Sequence, residues 1–106
     1  MTLAQEKSEP VTQATKPLSR EEAEKLAMEV RQWRLKGGAI ERELKFKDFP
    51  EAVDFVNAVA RLAQKEDHHP DIYISYNKVR LEFSTHKIGG LSRNDFILAA
   101  KVDQLV

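Results

Sequence analysis

The spacing of apolar residues along the chain predicts three helices. A Ser-x-x-Glu capping box at Ser19 opens the first helix, which we expect to end near Gln32. Its apolar face consists of Ala23, Leu26, Ala27 and Val30. The second helix is expected from about residue 50 to residue 66, because Asp48 can cap it and a continuous apolar stripe follows. That stripe is made of Ala52, Val53, Val56, Val59, Ala60 and Ala63. Ser92 caps the third helix.

Alternation of apolar and polar residues predicts two antiparallel hairpins. The first joins a short strand at residues 33–35 to a strand at about 40–46 through a pair of glycines. The second joins residues 72–76 to residues 79–83, and the two residues between them, Asn77-Lys78, are expected to form the turn. In both hairpins the apolar residues lie on alternate positions, which is typical of a sheet with one buried face.

The resulting element order, α-β-β-α-β-β-α, predicts an α+β fold. The simplest arrangement is one four-stranded antiparallel sheet with the helices packed on one face. Residues 1–17 contain two prolines and show no periodicity, so we expect a flexible N-terminal tail ahead of one domain at residues 18–106. The exposed edge of a hairpin favours strand-mediated self-association, and we therefore expect a homodimer or homotetramer.

Composition and charge narrow the class of protein. The chain has 106 residues, 42% of them hydrophobic and 32% charged, as expected for one globular domain. We expect neither a membrane span nor a secretory signal, because no apolar run is long enough. Cysteine is absent, which excludes thiol chemistry and fits a cytoplasmic protein. Basic and acidic residues number 17 each, so a direct nucleic-acid partner is not expected.

Three histidines are the candidates for proton transfer near neutral pH. His68 and His69 follow the long helix, and His86 follows the strand that pairs with the strand after those two. The second hairpin therefore returns His86 to the level of residues 67–70, where all three imidazoles can converge. Acid–base catalysis needs one group that donates a proton and another that accepts one, and neighbouring imidazoles can supply both.

Two other interpretations of these histidines remain open. A histidine pair at a helix end is commonly a solvated cap without a chemical role. Three histidines can also hold a catalytic zinc ion. Adjacent residues rarely ligate one metal, however, and no further carboxylate stands at an obvious ligand spacing.

The C-terminal end of a helix favours the protonated imidazole, which is the form that a general acid needs.

Several short motifs occur at defined spacings. They are Asp67-His68-His69-Pro70, Tyr76-Asn77-Lys78-Val79, Ser84-Thr85-His86, and Gly90-Leu91-Ser92 with Asp95. This combination closely resembles the signature of the pterin-4a-carbinolamine dehydratase family. Trp33 and Phe46-Lys47-Asp48-Phe49 also look like landmarks of that family. The resemblance runs from about Leu18 to Val106. The spaced combination is highly specific, whereas His-His-Pro alone is a weak signal.

The resemblance implies an enzyme that dehydrates a 4a-hydroxytetrahydropterin to the quinonoid dihydropterin, in support of aromatic amino-acid hydroxylases. It implies that the pterin is the substrate. Because the chain has no cysteine and no nucleotide-binding glycine motif, we expect that no further cofactor and no metal take part. The implied pocket consists of Asp67, His68, His69, Ser84, Thr85, His86 and Lys87. Of these, the resemblance assigns catalysis to the histidines: His68 and His86 as acid–base groups, and His69 chiefly to bind and orient the pterin.

One position departs from the family pattern. The family often has an acidic residue four positions before the first histidine of the pair, and here that position is Gln64. An amide can orient an imidazole but cannot add charge, so the departure bears on the rate more than on the reaction class. Lys87 occupies a variable place in the pocket motif. A non-catalytic alternative is a pterin-binding, dimerisation or transcription-coactivator scaffold, as in some relatives. A second is a pterin-dependent regulatory role.

Overall fold

The computed structural model describes residues 2–106 and has the predicted order of helices and strands. The helices are α1 (Arg20–Ala27), α2 (Phe49–Glu66) and α3 (Arg93–Asp103). The strands are β1 (Arg34–Lys36), β2 (Ala39–Lys45), β3 (Asp71–Ser75) and β4 (Lys78–Phe83). Two short 3₁₀ helices, Leu3–Gln5 and His86–Ile88, were not predicted. None of the helices within the described residues is both long and apolar enough to cross a membrane.

The predicted caps begin the helices, but α1 ends earlier than expected. The Ser19 hydroxyl accepts a hydrogen bond from Glu22 N–H, and Asp48 accepts one from Glu51 N–H. After α1 the chain tightens into turns in which the N–H groups of residues 28–30 and of Trp33 bond to the carbonyls three residues back. Val30 is still buried because these turns keep it on the core side, which explains why its spacing resembled that of a longer helix.

One antiparallel sheet in the order β1-β2-β4-β3 confirms the predicted fold class. The turn of the second hairpin lies one residue earlier than predicted: Ser75 pairs with Lys78, so Tyr76 and Asn77 form the turn. Tyr76 has a positive φ of 55°. The Asn77 side chain donates a hydrogen bond to the carbonyl of Phe46, 2.8 Å away. This contact ties the turn to the end of β2 and selects the register.

The helices cover one face of the sheet. The fully buried side chains there include Phe83, Leu81 and Val79 of β4, Val59 of α2, and Phe96, Leu98 and Val102 of α3. The opposite face carries charged residues, among them Glu41, which forms ion pairs with Arg34, Lys36 and Arg80. The core therefore lies between β4 and the helices, and the end of β4 is held rigidly beside α3.

The N-terminal segment, predicted to be a flexible tail, packs against the domain in the structure. Leu3 belongs to the hydrophobic core, with only 3% of its surface exposed. Lys101 of α3 donates a hydrogen bond from Nζ to the carbonyl of Ala4, 2.8 Å away. The pattern missed this packing because a three-residue helix followed by an extended segment has no periodicity to detect.

Candidate active site

A cavity of about 440 Å³ opens where the end of α2, the end of β4 and the start of α3 meet. Its lining includes every residue of the predicted pocket: Asp67, His68, His69, Ser84, Thr85, His86 and Lys87. The remaining lining residues are Ser8, Glu9, Pro10, Val11, Glu66 and Asn94. The structure therefore brings the predicted residues to one place, and adds a wall from the N-terminal segment that sequence reasoning missed.

The histidine pair is positioned by the way α2 ends. Asp67 adopts the left-handed conformation, with φ 53° and ψ 42°, and the next N–H, that of His68, bonds to the carbonyl of Ala63 at 3.1 Å. A left-handed residue reverses the chain direction at a helix end, and Asp tolerates that conformation better than most residues. The two histidines then diverge: His68 is partly buried, whereas His69 is exposed.

His68 is held by a buried carboxylate. Its Nε2 lies 2.6 Å from Asp95 Oδ1, and the side chains of His68 and Asp95 are 12% and 0% exposed. An ionised carboxylate only accepts hydrogen bonds, so Nε2 donates and Nδ1 is left to exchange a proton with a ligand. The imidazole also stacks on Phe83, with ring centroids 6.0 Å apart and planes 8° apart. These contacts set the ring's orientation and tautomer.

Asp95 is itself fixed by two further donors. Thr85 Oγ1 and the backbone N–H of Ser92 each donate to Asp95 Oδ2 at 2.9 Å. The hydroxyls of Thr85 and Ser92 are also 2.7 Å apart. A carboxylate that accepts several hydrogen bonds stays in place despite its burial. Sequence reasoning identified Asp95 as part of a helix cap and a family motif, but gave no signal that it contacts His68, 27 residues away.

Gln64 contacts the other histidine of the pair. Its Oε1 lies 3.2 Å from His69 Nε2, and both residues are exposed. Having an amide instead of a carboxylate at residue 64 therefore affects His69. His68 has its carboxylate from Asp95 instead.

His86 approaches the cavity from the opposite wall. It begins the 3₁₀ helix His86–Ile88, which lies in a loop closed by a bridge between Thr85 and Gly90. His86 is exposed, so its ring can exchange protons with solvent as well as with a ligand. Lys87 reaches across the cavity mouth and donates a hydrogen bond to the carbonyl of Val11 at 3.2 Å.

The arrangement can donate and accept protons on two sides of one small ligand. His68 offers Nδ1 from a partly buried, fixed ring, and His86 offers an exposed ring from the other wall. Among residues 2–106, no group of three or more His, Cys, Asp or Glu side chains is arranged to hold a metal ion. That the site works without a metal stays a prediction.

The structure is thus that of a small α+β protein in which three histidines line one cavity. The chain belongs to the family described as pterin 4 alpha carbinolamine dehydratase, whose family model matches residues 16–105. A protein of Nitrosomonas eutropha, provisionally named a pterin-4-alpha-carbinolamine dehydratase, is 49% identical over 105 residues, which cover 98% of this chain and 93% of that protein. A protein of Methylococcus capsulatus with the same provisional name is 53% identical over 91 residues, covering 84% and 80%.

Solved structures show the same fold. The crystal structure of a transcriptional coactivator/pterin dehydratase from Brucella melitensis matches with a TM-score of 0.81 at 32% identity, covering 85% of this chain and 98% of that one. A pterin dehydratase-like protein described as a RuBisCO assembly factor in the alpha-carboxysome matches with a TM-score of 0.57 at 22% identity, covering 69% and 84%. The second likeness concerns the fold alone.

Proposed function

We propose that this protein dehydrates 4a-hydroxytetrahydropterin to quinonoid dihydropterin by histidine acid–base catalysis. The observation that carries the proposal is the shared cavity of His68, His69 and His86, in which a buried Asp95 fixes the His68 ring. Membership of the family and the names of its relatives support the same substrate class. The pterin is the substrate, and we propose that no metal and no organic cofactor take part.

The reaction requires two proton transfers. A carbinolamine carries a hydroxyl group and an amine nitrogen on one carbon, so dehydration breaks the C–O bond and forms a C=N bond. One group must protonate the hydroxyl, which leaves as water, and another must take the proton from the nitrogen. We assign these transfers to His68 and His86, which lie on different walls of the cavity. His69, exposed beside Gln64, would chiefly bind and orient the pterin.

In a cell the substrate would come from a reaction that hydroxylates at the expense of a tetrahydropterin, such as that of the aromatic amino-acid hydroxylases. We propose that the protein acts in the cytoplasm on this product and returns the pterin to its reducible form. The mixed lining of the cavity, with carboxylates, imidazoles and an ammonium group, is suited to a small polar ligand.

The test is stopped-flow decay of chemically generated 4a-hydroxytetrahydropterin, with and without the protein. We expect His68→Ala and His86→Ala each to lower turnover by a factor of about 10 to 10². This is at the low end for one acid–base group, because the remaining imidazole and solvent in the same small cavity can take over part of the lost transfer. The double variant should keep almost none of the acceleration. His69→Ala should mainly raise KM. Circular dichroism checks that each variant is folded, and activity should survive EDTA.

A folded double variant with near-normal turnover would refute the histidine mechanism. Loss of activity in EDTA that zinc restores would refute the cofactor-free part alone. The second candidate function is a scaffold or coactivator role, favoured by the description of the Brucella melitensis structure as a transcriptional coactivator/pterin dehydratase. Wild-type protein that binds a pterin without accelerating its dehydration would favour that candidate.

A further inference from the structure

Residues 3–11, which we call the N-terminal strap, run from the hydrophobic core to the mouth of the cavity. Leu3 anchors one end in the core, and the Glu6 carboxylate pairs with Arg93 of α3 through two hydrogen bonds, 2.6 and 2.8 Å long. Residues 8–11 then line the same cavity as the histidines. The strap is therefore attached along its length, and its distal part forms a third wall of the candidate site.

One buried side chain of α3 holds the strap at the cavity. Asn94 is 5% exposed; its Oδ1 accepts a hydrogen bond from Glu9 N–H at 2.9 Å, and its Nδ2 donates to the Glu9 carbonyl at 2.6 Å. Paired contacts to both backbone polar groups of one residue set its position and its orientation. Asn94 precedes Asp95, which holds His68, so one turn of α3 positions both the strap and the catalytic imidazole.

Two further hydrogen bonds join the strap to the other walls. Ser8 N–H donates to Glu66 Oε1 at 3.0 Å, close to the end of α2. Val11 accepts from Lys87 Nζ at 3.2 Å, across the mouth of the cavity. All three walls of the cavity are thus connected through the strap. A wall held in this way can contact a bound ligand without further ordering, which lowers the entropy cost of binding.

We propose that the strap is a substrate-binding element of the site and that Asn94 is the residue that positions it. The inference rests on the proposed function, because it takes a pterin as the ligand. The strap lines the same cavity but carries none of the three histidines assigned to proton transfer, so it contributes to holding the pterin rather than to proton transfer. If the strap is loosened, the substrate and the transition state should both bind more weakly and by a similar amount. KM then rises, whereas kcat stays nearly unchanged.

Two variants disrupt the contact from opposite sides. Asn94→Asp places an oxygen against the Glu9 carbonyl where the amide donor stood. Glu9→Pro removes the N–H that Asn94 accepts, without any change in α3. We expect each variant to raise KM about tenfold and to keep kcat within about threefold of the wild-type value. The double variant should raise KM little further, since both substitutions break the same contact. The Kd of 7,8-dihydrobiopterin, measured by calorimetry, should rise in parallel with KM.

Matched controls separate this effect from a general loss of stability. Asn77→Asp removes a similar amide donor at the hairpin turn, outside the cavity lining. Gln13→Pro introduces a proline at an exposed turn of the same N-terminal region, also outside the lining. Both controls should keep the wild-type KM and Kd, even where thermal unfolding shows a lower Tm.

Unchanged KM and Kd in both test variants would overturn the proposal, as would a loss of kcat at constant KM. If Asn94→Asp does not fold, Glu9→Pro alone decides, because residue 9 is exposed and lies outside the core. Failure of the proposed function gives a different result: wild-type protein would then not accelerate dehydration of the hydroxypterin, whether or not it binds 7,8-dihydrobiopterin.

Discussion

Asp95 links the start of a helix to the geometry of the candidate site. Its carboxylate accepts hydrogen bonds from three places: His68 just after α2, Thr85 two residues after β4, and Ser92 at the start of its own helix. A fully buried carboxylate is costly unless such donors satisfy it. The same three contacts that make its burial tolerable also orient the His68 ring.

Asp95→Asn should therefore lower kcat more than it changes KM. An amide can present N–H in place of oxygen to His68 Nε2, which would favour the wrong tautomer for proton exchange at Nδ1. We expect kcat to fall at least about tenfold while KM stays nearly constant. Steady-state kinetics on folded protein is the measurement.

Asp48→Asn is the matched control, because Asp48 caps α2 by accepting a hydrogen bond from Glu51 N–H and is absent from the cavity lining. It should leave kcat unchanged. If Asp95→Asn keeps wild-type kcat, Asp95 acts only as a cap for α3.

At the scale of elements, the N-terminal segment is part of the packed structure. Its 3₁₀ helix Leu3–Gln5 packs on α3. Just before α1, Leu18 N–H bonds to the carbonyl of Leu91, which precedes α3. Pro17 lies so close to Gly90 that a Cβ there would come within 2.9 Å of its ring. Glycine at residue 90 therefore makes room for this segment.

Leu3→Ala should destabilise the fold, whereas a prediction from the sequence pattern alone would treat Leu3 as dispensable. Leu3 is 3% exposed within the core cluster, and truncating a buried leucine costs about 2 kcal/mol or more. Chemical denaturation measures the difference. Leu105→Ala, at a leucine that is 43% exposed, is the matched control and should change stability by less than about 0.5 kcal/mol. Equal effects of the two variants would mean that the 3₁₀ helix is not held in the core in solution.

The ion pair of the strap should make part of the stability depend on pH. The hydrogen bonds from Arg93 lower the pKa of Glu6 below its usual value of 4.5. A lowered pKa in the folded state stabilises the fold above pH 4.5, and this contribution disappears as the pH falls through the lowered value. The Tm difference between wild type and Glu6→Gln should thus be positive at about pH 7 and smaller at about pH 3.

Glu24→Gln is the control for this pair, since Glu24 contacts Arg20 on the exposed face of α1, where ion pairs contribute little. Its Tm should match that of wild type at both pH values. A Glu6→Gln difference that is equally large at low pH would show that the contact acts through packing rather than charge.

At the scale of the molecule, the sheet leaves two edges, β1 and β3, without a partner strand in the described chain. Four of the five residues of β3 are exposed, among them Tyr73 and Ile74, which are 47% and 41% exposed. An edge strand with exposed apolar side chains is a surface that a second copy can extend. The expected homodimer or homotetramer remains a prediction.

Ile74→Lys should shift the assembly toward a monomer, because a charge on an edge strand opposes strand pairing. Light scattering at micromolar concentration is the measurement, with a dimer or tetramer expected for wild type. Met28→Lys is the control, since Met28 is 64% exposed but follows α1, away from the sheet edge. A monomeric wild type would contradict the prediction, and an unchanged mass for Ile74→Lys would exclude this edge as the contact.

The sequence alone determined the element order, the fold class and most of the pocket. Caps at Ser19, Asp48 and Ser92 and the periodicity of the segments after them act within a few residues, so a local pattern records them. The histidines could be grouped for a similar reason, because a hairpin of known length returns His86 toward His68. The turn was misplaced by one residue because its register depends on a contact with Phe46, far away in the chain.

Only the tertiary structure decided which groups act together inside the pocket. His68 and Asp95 are 27 residues apart, and Asn94 and Glu9 are 85 apart, so no local pattern relates them. These contacts exist because α2 packs against both α3 and β4, and the cavity at the ends of these elements is lined by the strap. Local patterns reflect the short-range preferences of the backbone, whereas pairs of this kind depend on how whole elements fill space around the core.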